Sequence, residues 1–342
     1  MTRTASASRH SQSVESSPSS PEKTARPSRP RPLSGAGHAR SRRLTTARAA
    51  SPSSRSKVAG GYTNFSFRAV VDWVELTLTT ARPTNFMTMK GILGVEYVKP
   101  KDEGPGRAAT VFQVRFHEPK SWHDVEAALK RLEAHADLAS DPQVTEIELS
   151  FDAYNLTGPH TELVDLAAHF YRGCTLLVSS NRRLYRRTHE TQEVVSHQLL
   201  KARLTDGFNL NVGSPSGGDA VIQHVYVKQK DAGKSLPKDQ WRARYEVRLS
   251  GAALPFTALS DWARVDFTRF AKYFKYRKVI APSNRFVAAA LEVLPQIGEK
   301  RPRRKAPFGT RNYSRNTVAD TALNAAAFDA LRELNRRMRG YR

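Results

Sequence analysis

The chain has 342 residues, a single cysteine and a formal net charge of +23. A positive excess of this size predicts a polyanionic partner, a nucleic acid rather than an anionic membrane surface. No apolar run approaches the ~18 residues of a membrane span, and no apolar segment near Met1 resembles a secretory signal. The single Cys174 excludes an intramolecular disulfide framework and a zinc ribbon. These features predict an intracellular protein of a reducing compartment with no membrane partner.

The N-terminal arm, residues 1–60, is rich in Ser, Pro, Ala and Arg. Residues 1–58 hold twelve Lys or Arg against two Asp or Glu, which leaves a net charge of +10. Such a segment buries too little apolar area to offset the entropy of ordering, so we predict a disordered arm that follows phosphates without specificity. A transit peptide is also rich in Arg and Ser, but the frequent Pro and the missing amphipathic stripe argue against one.

Residues 61–298 are expected to form the catalytic domain. Alternating patterns predict strands, and apolar residues at helical spacing predict helices, with Ser121 and Ser260 as N-caps. The predicted strands cover 67–79, 110–116, 144–154, 174–178, 210–212, 221–228 and 240–249, and the predicted helices cover 121–136, 161–171 and 260–273. Short turns join most neighbouring strands, so we predict an α+β fold with a largely antiparallel central sheet and packed helices.

Residues 299–342 form a basic linker and a C-terminal amphipathic helix. Its apolar stripe consists of Leu323, Ala327, Leu331, Leu334 and Met338. Two interpretations stay open: the helix docks on the core, or it is free to bind DNA or a second subunit, which would make a homodimer.

The strand predicted at 240–249 has one apolar and one charged face. Arg242, Arg244, Glu246 and Arg248 share the charged face, because alternate side chains point to the same side of a sheet. One carboxylate among three guanidinium groups suits phosphate contacts, with a metal at the carboxylate. The alternative is a solvated edge strand with salt bridges.

Two earlier strands supply further carboxylates. Glu148 and Asp152 share the face opposite Ile147, so together they could hold a divalent cation through oxygen ligands. Asp72 shares its face with Val74 in the alternating pattern, so we expect a cation, a metal or a donor beside it. For each acid taken alone, an exposed strand carboxylate is the favoured alternative.

The strand at 221–228 places His224, Tyr226 and Lys228 on one face. We expect Lys228 to lower the pKa of the Tyr226 phenol and to pair with phosphate, and His224 to shuttle a proton. The hydroxyl of Tyr226 could then attack phosphorus and form a phosphotyrosine link. Because Tyr is common in strands, a structural role is the alternative.

Several known motifs are missing from the sequence. No G-x-x-x-x-G-K-[ST] P-loop, no H-E-x-x-H pattern and no pair of histidines around one hydrophobic residue occurs. A P-loop motor and a histidine-based metal site are therefore excluded, and a metal would be held mainly by carboxylates.

Residues 211–251 resemble the replication initiation factor family, the rolling-circle initiators of small plasmids, with relatives in filamentous phages. The segments that carry the resemblance are Asn211-Val-Gly-Ser-Pro-Ser-Gly217, His224-Val-Tyr-Val-Lys-Gln-Lys-Asp231 and Trp241-Arg-Ala-Arg-Tyr-Glu-Val-Arg-Leu-Ser-Gly251. They match the family's Gly-Ser turn, Tyr-x-Lys strand and Arg-x-Glu-x-Arg-Leu strand. The family commonly has an acidic residue where this chain has Val227. The resemblance extends over roughly residues 66–277.

The resemblance implies a metal-dependent DNA nickase without paired histidines, using Mg²⁺ or Mn²⁺. Glu246 matches the acid of the third strand; Asp72, Glu148 and Asp152 match earlier acidic strands; and Tyr226 matches the tyrosine of the Tyr-x-Lys step. Tyr185 is a rival nucleophile because it lies among arginines that could bind DNA, and these include Arg182, Arg183 and Arg186.

Two functions are therefore expected from the sequence. The first is an initiator that nicks and rejoins single- and double-stranded origin DNA in the bacterial host cytoplasm, alongside host helicase and polymerase. The second is a nucleic-acid-binding protein without catalysis, such as a phage regulator or packaging factor.

Overall fold

A computed structural model describes residues 56–57, 61–175, 182–186, 189–191, 197–214, 218–231, 233–279 and 317–340. Most of the predicted arm and most of the basic linker therefore lie outside the described residues. Two residues of the arm, Ser56–Lys57, form a short strand that pairs with the first long strand of the domain.

Ten of the fourteen described strands belong to one antiparallel sheet. Their bounds are β1 Ser56–Lys57, β2 Phe65–Asn85, β3 Tyr97–Pro100, β4 Ala108–His117, β5 Gln143–Asn155, β6 Arg182–Arg186, β7 His189–Thr191, β8 Asn209–Val212, β9 Val221–Lys228, β10 Lys230–Asp231, β11 Lys234–Ser235, β12 Arg242–Ser250, β13 Arg277–Val279 and β14 Thr317–Ala319. The order across the large sheet is β3-β4-β2-β5-β12-β9-β8-β6-β7, with β1 beside β2. The pairs β10–β11 and β13–β14 stand apart from it.

Six α-helices occur in the described residues. They are α1 Phe86–Leu93, α2 Trp122–Ala136, α3 His160–Gly173, α4 His197–Thr205, α5 Leu259–Trp262 and α6 Thr321–Met338. Short 3-10 helices cover Pro105–Arg107, Lys238–Gln240, Gly251–Ala253 and Phe267–Tyr273. This arrangement confirms the predicted α+β class with a largely antiparallel sheet. None of the helices is long and apolar enough to cross a bilayer.

The two faces of the sheet differ in chemistry. The apolar face packs against helices: α3 lies on β5, β9 and β12, while α6 lies on β2 and the last 3-10 helix. Residues at alternate positions, such as Phe151 and Val247, are buried in this core. The opposite side, called the polar face here, carries the alternate set that includes Glu148, Arg244 and Tyr226. Alternation in β9, in β12 and in β5 from Ile147 onward therefore separates core packing from site chemistry.

Local sequence signals account for several element ends. The Ser121 hydroxyl accepts a hydrogen bond from the Asp124 amide and the Asp124 carboxylate accepts one from the Ser121 amide, which is a capping box at the start of α2. The predicted single helix over 260–273 is wrong. The segment divides into α5, which begins at Leu259 so that Ser260 is not its cap, and a separate 3-10 helix that begins at Phe267, where the Asp266 carboxylate accepts a hydrogen bond from the Thr268 amide. Of the strand predicted at 174–178, Cys174 makes only an isolated bridge to Tyr276, and 176–178 lie outside the described residues.

The C-terminal helix docks on the core, which resolves the two open interpretations of its apolar stripe. All five predicted stripe residues of α6 are buried, with Leu331 at 1% exposure. Its N-terminus is fixed by Asp320, whose carboxylate accepts hydrogen bonds from the Tyr62 hydroxyl at 2.6 Å and from His169 at 3.0 Å.

We predict that Leu331→Ala lowers the free energy of unfolding by about 2–5 kcal/mol, because it leaves a cavity where the helix meets the core. Phe328→Ala is the matched control, since Phe328 lies on the same helix with 44% exposure. Urea unfolding of the two variants measures the difference. Equal, small effects would contradict the docking of α6.

Candidate metal centre on the polar face

A β-bulge in β2 decides where Asp72 lies. Val71 and Trp73 pair with successive residues of β5, so Asp72 between them is an extra residue with no partner in that ladder. The alternation shifts by one at this point: Val71 and Val74 belong to the core, and Asp72 and Trp73 face away from it. The expectation that Asp72 shares a face with Val74 is therefore wrong, because it assumed an unbroken period of two.

The bulge brings Asp72 to two carboxylates of neighbouring strands. Asp72, Glu148 and Glu246, called the carboxylate cluster here, each offer one oxygen atom, and these atoms lie within 4.8 Å of one another. Glu148 and Glu246 are buried, and Asp72 is half-buried. Carboxylate oxygens are the ligands that hard divalent cations prefer. The cluster could therefore hold a metal ion.

Each member of the carboxylate cluster is also oriented by a hydrogen-bond donor. The contacts are Trp73 Nε1 to Glu148 Oε1 at 2.8 Å, Arg244 Nη1 to Asp72 Oδ1 at 2.7 Å and Tyr226 Oη to Glu246 Oε1 at 2.6 Å. Donors of this kind fix the direction of metal-ligating carboxylates in metalloproteins. These hydrogen bonds use one oxygen of Asp72 and one of Glu246, and the second oxygen of each carboxylate takes no part in them. The carboxylates of the cluster therefore fit a cation that is ligated by oxygen.

Arg244 is the cation at the centre of the polar face. Its side chain is 1% exposed, and its Nε and Nη2 atoms donate to the two oxygens of Asp152 at 2.6 and 2.7 Å. Its Nη1 atom lies 2.7 Å from Asp72 and 3.3 Å from Glu246. Asp152, predicted as a metal ligand, is therefore in an ion pair outside the carboxylate cluster. Arg244, predicted as a phosphate contact, is instead bound to carboxylates.

Burial and charge shift the acids in opposite directions. Burial and the neighbouring Glu246 raise the pKa of Glu148 to about 8. Burial also raises the pKa of Glu246, against the opposing effect of Arg244. Burial alone would raise the pKa of Asp152, but Arg244 and Arg242 hold it below its usual value. The cluster therefore favours bound protons or a cation, whereas Asp152 stays ionised.

Known protein families give no match for this chain: no family model matches it, and no curated protein sequence matches it significantly. The chemistry of the polar face must therefore be inferred from its own residues, their burial and their distances.

The predicted effect of Lys228 on Tyr226 is wrong. Burial, followed by the Glu246 carboxylate, raises the pKa of the Tyr226 phenol well above its usual value. Lys228 instead pairs with Asp231, with 2.9 Å between Nζ and Oδ1. The Tyr226 hydroxyl is consequently protonated, and it donates a hydrogen bond to the Glu246 carboxylate.

The remaining predicted residues of β9 and β12 lie around the cluster. His224 is opposite Glu246 in the ladder. Arg242 Nε lies 3.2 Å from Asp152 with its side chain 9% exposed, and Arg248 Nε lies 3.3 Å from Glu148 with its side chain 21% exposed. Of these two cations, Arg248 is the more open to a ligand.

Tyr185, the rival nucleophile, lies on a more distant strand. It pairs with Asn209 of β8, and two strands, β8 and β9, separate its strand from β12. At about 4.8 Å per strand, roughly 14 Å separates β6 from β12. The side chains of Arg182, Arg183, Tyr185 and Arg186 lie outside what the structure describes.

Trp73 and Arg115 belong to the site but were not predicted from sequence. The Arg115 guanidinium lies 3.9 Å from the centre of the Trp73 ring and 4.9 Å from that of Tyr97, and Arg248 lies 4.9 Å from Trp73. The polar residues Gln113 and Arg115 alternate with apolar ones in the predicted strand at 110–116, and this was the available signal. It does not reveal which residues of neighbouring strands Arg115 would contact.

The raised pKa of Glu148 predicts a specific dependence of stability on pH. Between about pH 5 and pH 8 the folded protein holds a proton that the unfolded chain has released. The free energy of unfolding should therefore fall as pH rises through this window, by up to about 1.4 kcal/mol per pH unit from this group. Glu148→Gln should remove that fall, as measured by urea unfolding at several pH values.

Adding Mn²⁺ provides the control for this pH effect. An ion in the carboxylate cluster should restore stability at about pH 8 in the wild-type protein and much less in Glu148→Gln. If the free energy of unfolding changed with pH in the same way in the wild-type protein and in Glu148→Gln, the pKa of Glu148 would not be raised.

Removing Arg244 should be far more damaging than removing Arg248. We expect Arg244→Gln to cost about 3–5 kcal/mol, because Asp152 is then left buried without its main counter-ion. Arg248→Gln should cost at most about 1 kcal/mol, since its side chain is partly exposed and its ion pair is longer. Chemical denaturation compares the two, and equal losses would rule out the central role of Arg244.

Proposed function

We propose that the protein is a DNA nicking and joining enzyme that starts rolling-circle replication of a plasmid or phage. The observation that carries this proposal is the convergence of a tyrosine hydroxyl, at 2.6 Å from Glu246, on three carboxylates within 4.8 Å of one another. A nucleophile beside a base and a metal-binding group is the arrangement that phosphoryl transfer requires.

In the proposed reaction the Tyr226 oxygen attacks the scissile phosphorus. Its proton passes to Glu246 Oε1, the acceptor that it already faces. The bond from phosphorus to the 3′ oxygen breaks, and His224, which lies opposite Glu246 in the ladder, donates a proton to that oxygen. The products are a 5′ phosphotyrosyl end and a free 3′ hydroxyl, which primes synthesis by a host polymerase. Joining is the reverse of these steps.

A bound Mg²⁺ or Mn²⁺ would supply Lewis-acid polarisation of the scissile phosphate. Asp72, Glu148 and Glu246 are the residues that would hold it. Arg244 keeps Asp72 and Glu246 in place, because it donates to both from a fully buried position. Arg248 is the guanidinium beside the cluster that could contact the DNA backbone.

The proposed partners are single- and double-stranded origin DNA, together with the host helicase and polymerase in the bacterial cytoplasm. The net charge of +23 supports a nucleic-acid partner and predicts binding that weakens with salt.

A second candidate function is DNA or RNA binding without catalysis. Two observations favour it. Burial and Glu246 raise the pKa of the Tyr226 phenol and so keep it protonated, and Arg244 already compensates the nearby carboxylates. In that case the polar face is an internally neutralised surface, and the basic arm supplies the affinity.

The test uses supercoiled DNA of the plasmid or phage that encodes the protein, incubated with the full chain and Mg²⁺ or Mn²⁺. We expect nicked DNA and a protein–DNA adduct that survives denaturation. Tyr226→Phe should abolish the adduct, because it removes the attacking oxygen.

Two matched variants assign the nucleophile. Tyr185→Phe tests the rival, and Tyr154→Phe removes a different hydroxyl from the polar face. Loss of the adduct in Tyr185→Phe alone would transfer the role to Tyr185. No adduct with any variant or the wild type, despite DNA binding, would favour the second candidate.

A further inference from the structure

An alternating column of aromatic rings and guanidinium groups crosses the polar face beside the carboxylate cluster. It begins at Tyr97 on β3, continues through Arg115 on β4 to Trp73 on β2, and ends at Arg248 on β12. Trp73 and Arg248 both donate to Glu148, so the column joins a candidate metal ligand.

The column is held rigidly at its middle. Arg115 Nη2 lies 2.8 Å from the buried carboxylate of Glu75, and the Trp73 indole is 4% exposed. Because a planar guanidinium fixed between two rings has little freedom left, the ring of Tyr97 is presented in a defined position.

Tyr97 stands at the open end of the column. Its strand, β3, is the outermost strand on that side of the large sheet among the described residues. One ring face contacts Arg115 and the side chain is half-buried. Lys99, two residues along β3 and on the same side, is exposed and could reach a phosphate.

We propose that Tyr97 stacks against a base of the unpaired DNA strand that leads into the carboxylate cluster. The proposal rests on the proposed function for the identity of the strand. Lys99 is an exposed charge that suits a polyanion, whereas Arg115 and Arg248 are already paired with Glu75 and Glu148. The column leads to Glu148 on the same face over three strand spacings, roughly 14 Å, so the stacked base lies farther along the same DNA strand than the scissile phosphate.

An unpaired strand is favoured over a duplex for a physical reason. Only an unstacked base offers a free ring face, and bases of any sequence stack on aromatic side chains. A duplex would instead be held through its phosphates, to which an edge tyrosine adds little. The expected signature is thus a preference for single strands that depends on the ring and not on the hydroxyl.

The test measures binding of a mixed-sequence oligonucleotide of about 20 nucleotides, single-stranded or as the duplex, to the full chain in EDTA. Tyr97→Ala should weaken single-strand binding by about 5- to 100-fold and leave duplex binding within about 2-fold. Tyr97→Phe should bind like wild type. Single 2-aminopurine substitutions along the strand should reveal a quenched position that brightens in Tyr97→Ala.

Phe328→Ala is the matched control, because it removes an exposed aromatic ring from α6 on the other side of the sheet. Equal weakening of single-strand and duplex binding by Tyr97→Ala, or no weakening by a variant that melts like wild type, would overturn the proposal. The binding assay does not depend on cleavage, because EDTA removes the metal and the Tyr226→Phe variant can serve as the background. If the adduct is missing in the nicking assay but Tyr97→Ala still weakens single-strand binding, only the nicking function is rejected.

Discussion

The ion pairs of Arg244 make the polar face of this sheet physically tenable. Four acidic residues of β2, β5 and β12 lie close together there, namely Asp72, Glu148, Asp152 and Glu246. Buried carboxylates are costly unless each is compensated. Arg244 neutralises Asp152 with a two-pronged contact and reaches Asp72 and Glu246 with its remaining nitrogen. The face is therefore organised before any ligand arrives, and only part of its negative charge remains available for a cation.

Much of the fold follows from local sequence patterns. The alternation in β9, in β12 and in β5 from Ile147 onward was long and unbroken, so it predicted their two faces. Ser121 correctly predicted the start of α2, because its cap depends only on residues close to it in the sequence. The prediction of one helix over 260–273 failed because it used apolar spacing alone. The spacing suits a single helix, but Asp266 caps a second helix, which the spacing does not reveal.

The site was predictable where it depends on alternation and unpredictable where it depends on pairing. Glu246, Glu148 and Tyr226 were found because each has a defined face on its own strand. Which carboxylate Arg244 would bind is set by the register between strands distant in sequence, as is the contact of Arg115 with Trp73. The protonated state of Tyr226 was missed as well, since burial is a property of the whole fold and not of a segment.

The bulge at Asp72 also bears on how such a site can arise. One additional residue in a strand adds a side chain to the polar face and leaves the core alternation intact on both sides. A sheet could thus acquire a ligand through a single-codon insertion, without the repacking that a substitution of a core residue demands. The same insertion displaces every later residue by one position, so distant relatives would differ by a gap inside a strand, where gaps are ordinarily least expected.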